Sequence, residues 1–417
     1  MPEAKPYVIP KQLVWEAYKR VKANRGAAGV DGETLAAFEK DLKGNLYKVW
    51  NRMSSGSYFP PPVRLVEIPK ANGGKRPLGI PTVADRVAQT VVKMVLEPLV
   101  EPKFHPDSYG YRPGKSALEA VGMARQRCWD ADWVIDLDIK AFFDSIPHDL
   151  VERAVAHHTD IPWVRLYIAR WLRAPVQKAD GTLEQRTRGT PQGGVASPLL
   201  ANLFLHYVFD LWMQREFPYV QFERYADDAI VHCRSERQAQ TVLEAIRGRF
   251  LQCGLELHVT KTRMVYCKDD DRPGKSDSIQ FDFLGYTFQP RRAKNRWGKH
   301  FVSFLPAMST KAAKAIRATI REWRMASTRN HQHLEDLARF VNPVVRGWMN
   351  YYGRFYRSKC VQILRHLNEA LAAWARRKYR RFRRRERASM HWLGRIARRD
   401  RTLFAHWEHG VLPDAGS

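Results

Sequence analysis

Two adjacent carboxylates, Asp227 and Asp228, lie in the otherwise apolar stretch FERYADDAIVHC (222–233). Like charges side by side repel each other, so both stay ionised only where a cation neutralises them. Successive residues of a strand point to opposite faces, and the pair can therefore serve one site only at a turn between two strands. Such a turn would suit Mg²⁺, which prefers oxygen ligands. A solvated hairpin turn with no metal is the alternative.

A second pair of carboxylates, Asp136 and Asp138, occurs in VIDLDIKAFFDSI (134–146). Their spacing of two places both on the same face of a buried strand. Ionised carboxylates there are costly unless they are paired or bound to metal. Carboxylates from two strands could hold the two metals that an in-line phosphoryl transfer uses. The spacing leaves open which of Asp136 and Asp138 is the ligand.

A basic turn, IPKANGGKRPLGIP (68–81), offers Lys70, Lys75 and Arg76 around two glycines. Cations beside backbone N–H groups suit phosphate oxygens. The segment lacks the GxxxxGK[ST] spacing of a P-loop. A solvated basic hairpin tip is the alternative interpretation.

The elements that must position these residues follow from periodicity. Helices are predicted over 11–50, 82–100, 148–172 and 236–253, and from about 305 onward. Strands are predicted over 63–69, from residue 133, on both sides of Asp227–Asp228, within 255–267 and over 279–288. The glycine-rich turn GTPQGG leads into a long apolar helix. Charge and periodicity both change near 290–305, where we expect a domain boundary.

The net charge of +27 over 417 residues is uneven. Residues 291–417 contain 30 Lys and Arg against 8 Asp and Glu, and the run ARRKYRRFRRRERAS contains one acid, Glu386. A basic excess confined to one region indicates a polyanionic partner, and nucleic acid is favoured over a solvated helix face.

Two classes of protein are excluded by composition. No stretch of 18 uncharged apolar residues exists, so no membrane span is predicted, and the N-terminus lacks the apolar core of a secretory signal. Five scattered cysteines with no CxxC pair argue against zinc and disulfides, which fits a reducing cytoplasm.

The order of these motifs resembles that of a bacterial group II intron-encoded reverse transcriptase with maturase function. The matching segments are NRGAAGVDG, IPKANGGKRPLGIPTVADRVAQ, SYGYRPGKSALEA, DLDIKAFFDSIPH, GTPQGGVASPLLANLFLH, RYADDAIVHC, LELHVTKT and FDFLGYTF, followed by the maturase-like NPVVRGWMNYYGRF. They cover nearly the whole chain.

The resemblance assigns roles that spacing left open. It selects Asp138 as the first metal ligand, with Asp136 a flanking residue, and it makes Asp227 and Asp228 the rest of the catalytic and metal-binding triad. It implies that the dNTP is bound by Lys70, Arg76, Phe143, Gln192, Ala226 and Lys261. In this set, Phe143 would be the steric gate against a ribose 2′-hydroxyl, and Lys261 would protonate the pyrophosphate. It also implies contacts to primer and template from Tyr225, Gly193 and Arg112.

The resemblance further implies an α+β right-hand polymerase whose palm contains an antiparallel sheet. We expect an N-terminal extension and fingers over 1–130, a palm over 131–290, a helical thumb or maturase domain over 291–375 and a basic nucleic-acid-binding segment over 376–417. Only Cys360 follows residue 300, so we expect no HNH endonuclease, and no further carboxylate cluster is left for an RNase H domain.

The expected function is RNA-directed DNA synthesis, in which group II intron RNA is copied into cDNA from dNTPs with two Mg²⁺ ions, or Mn²⁺ in their place. Intron RNA binding, splicing and retrotransposition would accompany it. The expected partners are an RNA template, a DNA primer or target DNA and dNTPs, with no membrane, for a monomer in the bacterial cytoplasm.

Two other functions stay open on the sequence. The chain could act chiefly as a splicing maturase that clamps intron RNA. It could also be a domesticated reverse transcriptase in DNA repair or phage defence, an idea that an adjoining ribozyme in the flanking DNA would exclude.

Overall fold

A computed structural model of the chain describes residues 5–69 and 74–413. Helices and short strands are mixed along the chain, which confirms the α+β class. The chain forms two compact units, one of Met1–Ala120 with Ile135–Met264 and one of Val121–Val134 with Val265–Ser417. The finer division into fingers, palm and thumb stays a prediction.

Up to Tyr266 the elements are, in chain order, α1 Lys11–Asn24, α2 Leu35–Lys40, α3 Leu42–Ser54, β1 Val63–Pro69, β2 Lys75–Ile80, α4 Val83–Val100, α5 Ala117–Asp130, β3 Trp133–Leu137, α6 Phe142–Ser145, α7 His148–His158, α8 Pro162–Leu172, β4 Val176–Gln177, β5 Leu183–Glu184, α9 Ser197–Leu205, α10 Leu211–Glu216, β6 Gln221–Tyr225, β7 Asp228–Cys233, α11 Glu236–Gln252 and β8 Arg263–Tyr266. A single π-helical turn, His206–Asp210, joins α9 to α10.

From Phe281 onward the elements are β9 Phe281–Phe283, β10 Tyr286–Lys294, β11 His300–Met308, α12 Thr310–Glu322, α13 Met325–Thr328, α14 Leu334–Tyr352, α15 Arg357–Lys378, α16 Glu386–Arg399 and α17 Ala405–Glu408.

The sheet that carries the acidic motifs has the strand order β6-β7-β3-β8. Strands β6 and β7 form an antiparallel hairpin in which Tyr225 pairs with Asp228. Strand β3, with Asp136, lies beside β7 on the inside of the sheet. The two acidic motifs, about 90 residues apart in the chain, are thus on neighbouring strands.

A second sheet carries the basic turn and has the order β2-β1-β4-β5. Strands β1 and β2 pair antiparallel, with Ile68 opposite Arg76. The predicted strand over 63–69 and its return strand are both present. Lys70 lies outside the described residues.

Helix α4 connects this region to the glycine-rich turn. Its Asp85 is fully buried and accepts hydrogen bonds from Tyr58 Oη (2.8 Å), Trp171 Nε1 (2.7 Å) and Gln89 Nε2 (2.9 Å). Burial raises the pKa of Asp85, and these three donors oppose the shift. Gln89 Oε1 in turn accepts from the Val195 N–H (2.7 Å), which ties the start of α9 to α4.

The second unit contains a sheet of order β11-β10-β9 that the sequence did not predict in full. The strand predicted to end at residue 288 continues to Lys294, and a further strand, His300–Met308, pairs with it throughout. The helix expected from about 305 begins at Thr310, where Ser309 Oγ accepts from the Ala312 N–H (3.1 Å). Three arginines at the start of the predicted thumb domain, Arg291, Arg292 and Arg296, therefore lie in a β-hairpin.

Helices α12–α17 pack around an apolar core that includes Leu364, Leu371 and Trp374. At its C-terminal end, buried Asn368 accepts from His406 Nε2 (2.8 Å) and Trp407 Nε1 (2.9 Å) and donates to the Val411 carbonyl (3.0 Å).

No helix among the described residues is both long and apolar enough to cross a membrane. All five cysteines are buried. Cys233, Cys253, Cys267 and Cys360 are free thiols, as the scattered cysteine positions predicted.

Candidate active site

Asp138 lies just beyond the end of β3. The segment after the strand is held by the chain around 256–262: the Asp138 carbonyl accepts from the His258 N–H (2.8 Å), and Ile139 forms an antiparallel bridge with Leu257. Thr262 Oγ1 lies 3.3 Å from both the N–H and the carbonyl of Asp138. These contacts fix the Asp138 backbone and so direct where its carboxylate can lie.

Asp227 and Asp228 lie at the β6–β7 turn, as the sequence predicted for carboxylates that share one site. Ala226 and Asp227 are the two turn residues, and Asp228 is the first residue of β7. Ala226 has a φ of +58°, a left-handed conformation that is uncommon for a residue with a side chain. Such a conformation persists only where surrounding contacts hold it.

Those contacts come from Arg224, whose side chain is 1% exposed. Its guanidinium forms a bidentate ion pair with Asp210 (Nε–Oδ1 2.7 Å, Nη2–Oδ2 2.6 Å). Nη1 donates to Asn202 Oδ1 (3.0 Å) and to the Ala226 carbonyl (2.9 Å). A fully buried ion pair therefore holds the turn that carries the two carboxylates.

The loop at Gly110 closes on the same turn. A Cβ at Gly110 would lie 2.3 Å from the Ala226 nitrogen, so only glycine fits there. Asn202 Nδ2 donates to the Gly110 carbonyl (2.6 Å), and the Tyr109 N–H donates to the Arg224 carbonyl (2.8 Å). The turn is thus fixed from two sides.

The electrostatics of the carboxylates are dominated by burial and by the charges of the neighbouring carboxylates. Burial first, and then the charges of Asp227 and Asp138, raise the pKa of Asp228 to about 6. Burial and the charge of Asp138 also raise the pKa of Asp227. Burial raises the pKa of Asp136 to about 7, although the Arg263 guanidinium 3.4 Å away lowers it in part.

Lys261 provides one positive charge at this site. Its Nζ lies 3.2 Å from Asp138 Oδ2, with both side chains partly exposed to solvent. Its charge also lowers the pKa of Asp228. The structure therefore brings together Lys261 and Asp138, which are 123 residues apart in the chain.

The described residues suit a metal without forming a finished metal centre. In the ranges 5–69 and 74–413, no three His, Cys, Asp or Glu side chains are gathered into a ready ligand set. The charge of Asp138 nevertheless raises the pKa values of Asp227 and Asp228, which indicates that a cation would relieve the repulsion. Carboxylate oxygens are also the ligands that Mg²⁺ prefers. The carboxylates present therefore fit a divalent ion.

Arg76 acts on the same carboxylates from β2. Its charge lowers the pKa of both Asp227 and Asp228. Of the predicted triphosphate-binding pair, Arg76 is thus brought to the site, and Lys70 belongs to the part of the chain that the structure does not describe.

Gln192 and Gly193 lie against the strand that carries Arg76. The Gly79 N–H donates to the Gln192 carbonyl (2.6 Å). Gly193 has a φ of +113°, and a Cβ there would lie 2.5 Å from the Gly79 carbonyl oxygen. The close packing of two glycines joins the GTPQGG turn to β2.

Phe142 and Phe143 have different environments. Phe142 is buried and its ring lies 6.4 Å from that of Phe204, which makes it a core residue. Phe143 is partly exposed, and its carbonyl accepts from the Thr190 N–H (2.8 Å). Its role as a steric gate stays a prediction.

Tyr225 has a neighbour that the sequence analysis missed. Its ring lies 6.5 Å from that of Tyr111. Burial, followed by the charge of Asp227, raises the pKa of Tyr111, which places this phenol beside the carboxylates. The motif SYGYRPGKS contained Tyr111 and Gly110, but their proximity to Ala226 depends on a contact across more than 100 residues.

Arg112 has structural contacts in place of the predicted primer or template contact. Its side chain is 7% exposed and forms an ion pair with Glu101 (2.8 Å). Nη1 donates to the carbonyls of His105 and Ser108, each at 2.7 Å. Because its donors are occupied, Arg112 is not included in the site proposed below.

Comparison with known families covers most of the chain. Residues 68–288 match the family described as "Reverse transcriptase (RNA-dependent DNA polymerase)". Residues 313–392 match the "Group II intron, maturase-specific domain". Residues 289–312, which include most of the β10–β11 hairpin, fall between the two matches.

Curated relatives agree with these matches. Protein YkfC of Escherichia coli (strain K12) is 30% identical over 333 residues, or 70% of this chain and 84% of the relative. Group II intron-encoded protein LtrA of Lactococcus lactis subsp. cremoris is 34% identical over 222 residues, or 51% of this chain and 36% of LtrA. An uncharacterized 91 kDa protein in the cob intron of Schizosaccharomyces pombe is 33% identical over 220 residues, or 52% of this chain and 27% of that protein. The aligned region thus spans about a third of LtrA.

Proposed function

Since the chain belongs to the group II intron reverse transcriptase and maturase family, we propose that it copies intron RNA into DNA by two-metal phosphoryl transfer at Asp138, Asp227 and Asp228. Membership of this family makes it an RNA-directed DNA polymerase, a nucleotidyltransferase. The metal mechanism, the intron template and a role in retrotransposition are parts of the proposal.

The observation that carries the proposal is the convergence of three carboxylates from separate segments. Asp138 follows β3, and Asp227 and Asp228 lie at the turn of the neighbouring hairpin. The charge of Asp138 raises the pKa values of both Asp227 and Asp228, and Arg76 is a cation that opposes this on both residues. An isolated hairpin turn would not have a third carboxylate from another segment acting on its own pair.

The residues of the proposed site would have different roles in the reaction. Bound divalent metal would activate the attacking 3′-hydroxyl and stabilise the leaving pyrophosphate. The three carboxylates would hold that metal. Arg76 would bind triphosphate oxygens and, with Gln192 on the adjoining turn, orient the nucleotide. Lys261 would supply a proton to the pyrophosphate from its position beside Asp138.

Primer extension on a DNA-primed RNA template tests the site, and Asp136 provides a matched control. Asp138→Asn should reduce the rate by at least about 10³-fold, since metal stabilisation is worth several kcal/mol. Asp136→Asn, two residues earlier and within β3, should retain the rate within about tenfold. Equal rates for Asp138→Asn and the parent chain would overturn the assignment.

A second function, intron RNA binding that promotes splicing, is supported by the maturase-specific match over 313–392. We propose that it resides in the second unit and does not need the carboxylates. The variant with Asp227→Asn and Asp228→Asn should therefore still promote splicing of the cognate intron in vitro. Loss of splicing together with polymerisation in a folded variant would contradict this separation.

A further inference from the structure

We propose that the β10–β11 hairpin of the second unit binds unpaired RNA by stacking a base on Trp297. This inference rests on the proposed RNA-binding function and adds a specific surface to it. The hairpin tip, 295–299, lies outside both family matches, which end at 288 and resume at 313.

The tip presents an exposed aromatic ring. Trp297 is 75% exposed, whereas most tryptophans of a folded chain are largely buried. The guanidinium of Arg296 lies 4.1 Å from the Trp297 ring centroid. Guanidinium planes and indole rings both stack on nucleobases, so the pair forms a ready stacking platform.

The conformation of the tip is fixed before any partner binds. Asn295 Oδ1 accepts from the N–H groups of Trp297 (3.0 Å) and Lys299 (2.9 Å). The Asn295 N–H donates to the Lys299 carbonyl (2.9 Å), and Gly298 adopts a φ of +86° that suits glycine. Because the turn is already ordered, binding costs less conformational entropy than it would for a flexible loop.

The positive charge around Trp297 favours a polyanionic ligand. Residues 289–308 contain five Lys and Arg and one His, with no Asp or Glu. Arg292, Lys294, Arg296 and Lys299 are all exposed. An exposed ring among cations alone is the pattern of single-stranded nucleic-acid binding, whereas protein interfaces are depleted in lysine.

An open cavity of about 750 Å³ at the base of the hairpin extends this surface. It is lined by Lys294 and Phe301 of the hairpin and by Trp129 and Arg125 of the same unit. The Arg125 guanidinium lies 4.8 Å from the Trp129 ring, and its buried Nε has no hydrogen-bond partner in the described part of the chain. A nucleotide next to the one on Trp297 could stack on the Trp129 ring and accept a hydrogen bond from Arg125 Nε.

Three carboxylates, Asp132, Asp269 and Asp271, also line the cavity, and three cations, Arg125, Arg272 and Lys294, offset their charge. Asp132 and Asp269 are paired with Arg272 at 3.1 and 3.6 Å. Bases offer their faces only when unpaired, so the ligand is a single-stranded RNA segment, such as a loop, and not a duplex.

Fluorescence anisotropy with the full chain tests the proposal. The probes are a labelled oligouridylate of about 12 nucleotides, a blunt RNA duplex of the same length and an oligodeoxythymidylate. Trp297→Ala should raise the Kd for oligouridylate at least about fivefold, and that for the duplex less than about twofold. Trp297→Phe, which keeps a ring, should stay within about twofold of the parent chain.

The salt dependence of Kd distinguishes the contribution of charge to RNA binding from that of aromatic stacking. Arg296→Ala should reduce the slope of log Kd against log salt by about 0.7, the value for one contact to a single strand. Trp297→Ala should leave the slope unchanged. Tyr219→Ala, which removes a ring that is 90% exposed in the first unit, is the matched control and should alter neither Kd nor slope.

Three outcomes would overturn the proposal in a Trp297→Ala variant with an unchanged melting temperature. These are an unchanged Kd for oligouridylate, an equal loss on duplex and single strand, and a loss on the DNA strand alone. The titration contains no primer or dNTP, so a chain inactive in primer extension can still show the Trp297 effect. That result would refute the polymerase assignment only.

Discussion

At the scale of single residues, Arg224 has as much influence on the site as the carboxylates themselves. It does not face the reacting atoms, but it satisfies the Ala226 carbonyl and neutralises buried Asp210. Removing one partner of a buried pair leaves the other charge uncompensated, and this usually costs more than the pair is worth.

We therefore predict that Arg224→Lys reduces primer extension by about 10- to 100-fold and raises the Mg²⁺ concentration needed for half-maximal rate, because the two carboxylates lose their fixed orientation. Lysine keeps the charge but cannot form the bidentate pair. The free energy of unfolding should fall by about 1–3 kcal/mol, the cost of leaving buried acceptors without their hydrogen bonds. The measurements are metal titrations of the rate and urea unfolding.

Arg237→Lys, on the exposed start of α11, is the control and should change neither quantity. If Arg224→Lys lost stability without altering the metal requirement, Arg224 would have a structural role only.

The residues with catalytic roles were the easiest to predict from sequence. Asp227 and Asp228 are conspicuous because two charges interrupt an apolar run, whereas Asp138 was chosen over Asp136 only by the family resemblance, since spacing left both open. Arg224 and Asp210 were missed, since an arginine in a strand and an aspartate in a helix are ordinary until the fold brings them within 2.6 Å.

At the scale of elements, the β6–β7 hairpin is positioned by the loop at Gly110. A Cβ on residue 110 would meet backbone atoms of Tyr225 and Ala226 at 2.9 and 2.3 Å, and neither can move without shifting the turn. Overpacking of this kind typically costs about 1–3 kcal/mol.

Gly110→Ala should accordingly lower the free energy of unfolding by about 2 kcal/mol and primer extension by about 10²-fold, because a displacement of about 1 Å is enough to misalign a catalytic group. Steady-state rates and urea unfolding measure the two effects. Gly248→Ala, in helix α11 with open space around it, should leave the rate unchanged and stabilise the chain slightly. Equal behaviour of the two variants would contradict a positioning role for Gly110.

Element boundaries were predictable where one periodicity held over a full segment. Strand β1 and helices α4 and α11 match their predicted ranges closely, because each has a clear start or stop signal. Strand β11 was missed. It begins at His300, within the region 290–305 where the sequence predicted only a domain boundary, and it pairs with the basic end of β10, a contact that no local pattern reveals.

At the scale of the whole molecule, the positive charge and the carboxylates are distributed unequally along the chain. The excess of 30 basic over 8 acidic residues lies after residue 290, while all three proposed metal ligands precede it. This division predicts separable functions, nucleic-acid binding by one unit and catalysis by the other. From charge and periodicity the sequence predicted a domain boundary near 290–305, whereas the second compact unit begins at Val265 and also includes Val121–Val134.

The stability of the second unit should depend on pH through His406. Burial lowers the pKa of His406 to about 3, so the folded chain keeps it neutral where the unfolded chain, with a pKa near 6.5, takes up a proton. Stability is therefore lost as pH falls below about 6.5, by up to about 1.4 kcal/mol per pH unit.

Between pH 7 and pH 5, the parent chain should lose about 2 kcal/mol more than His406→Gln, which cannot titrate. Urea unfolding at both pH values, followed by tryptophan fluorescence, measures the difference. His331→Gln, an exposed histidine of the same unit, should behave as the parent does. A parent and His406→Gln with the same pH dependence would disprove the linkage.

The burial of all five cysteines has a practical consequence. Burial raises the pKa of Cys233 to about 12 and that of Cys360 to about 11, so few thiolates are available to react near neutral pH. We therefore expect maleimide to label the native cysteines of the folded chain only slowly. A cysteine introduced at one exposed position, such as Gly248→Cys, would accept a single fluorophore, and the motions of either unit could be followed without first removing the native cysteines.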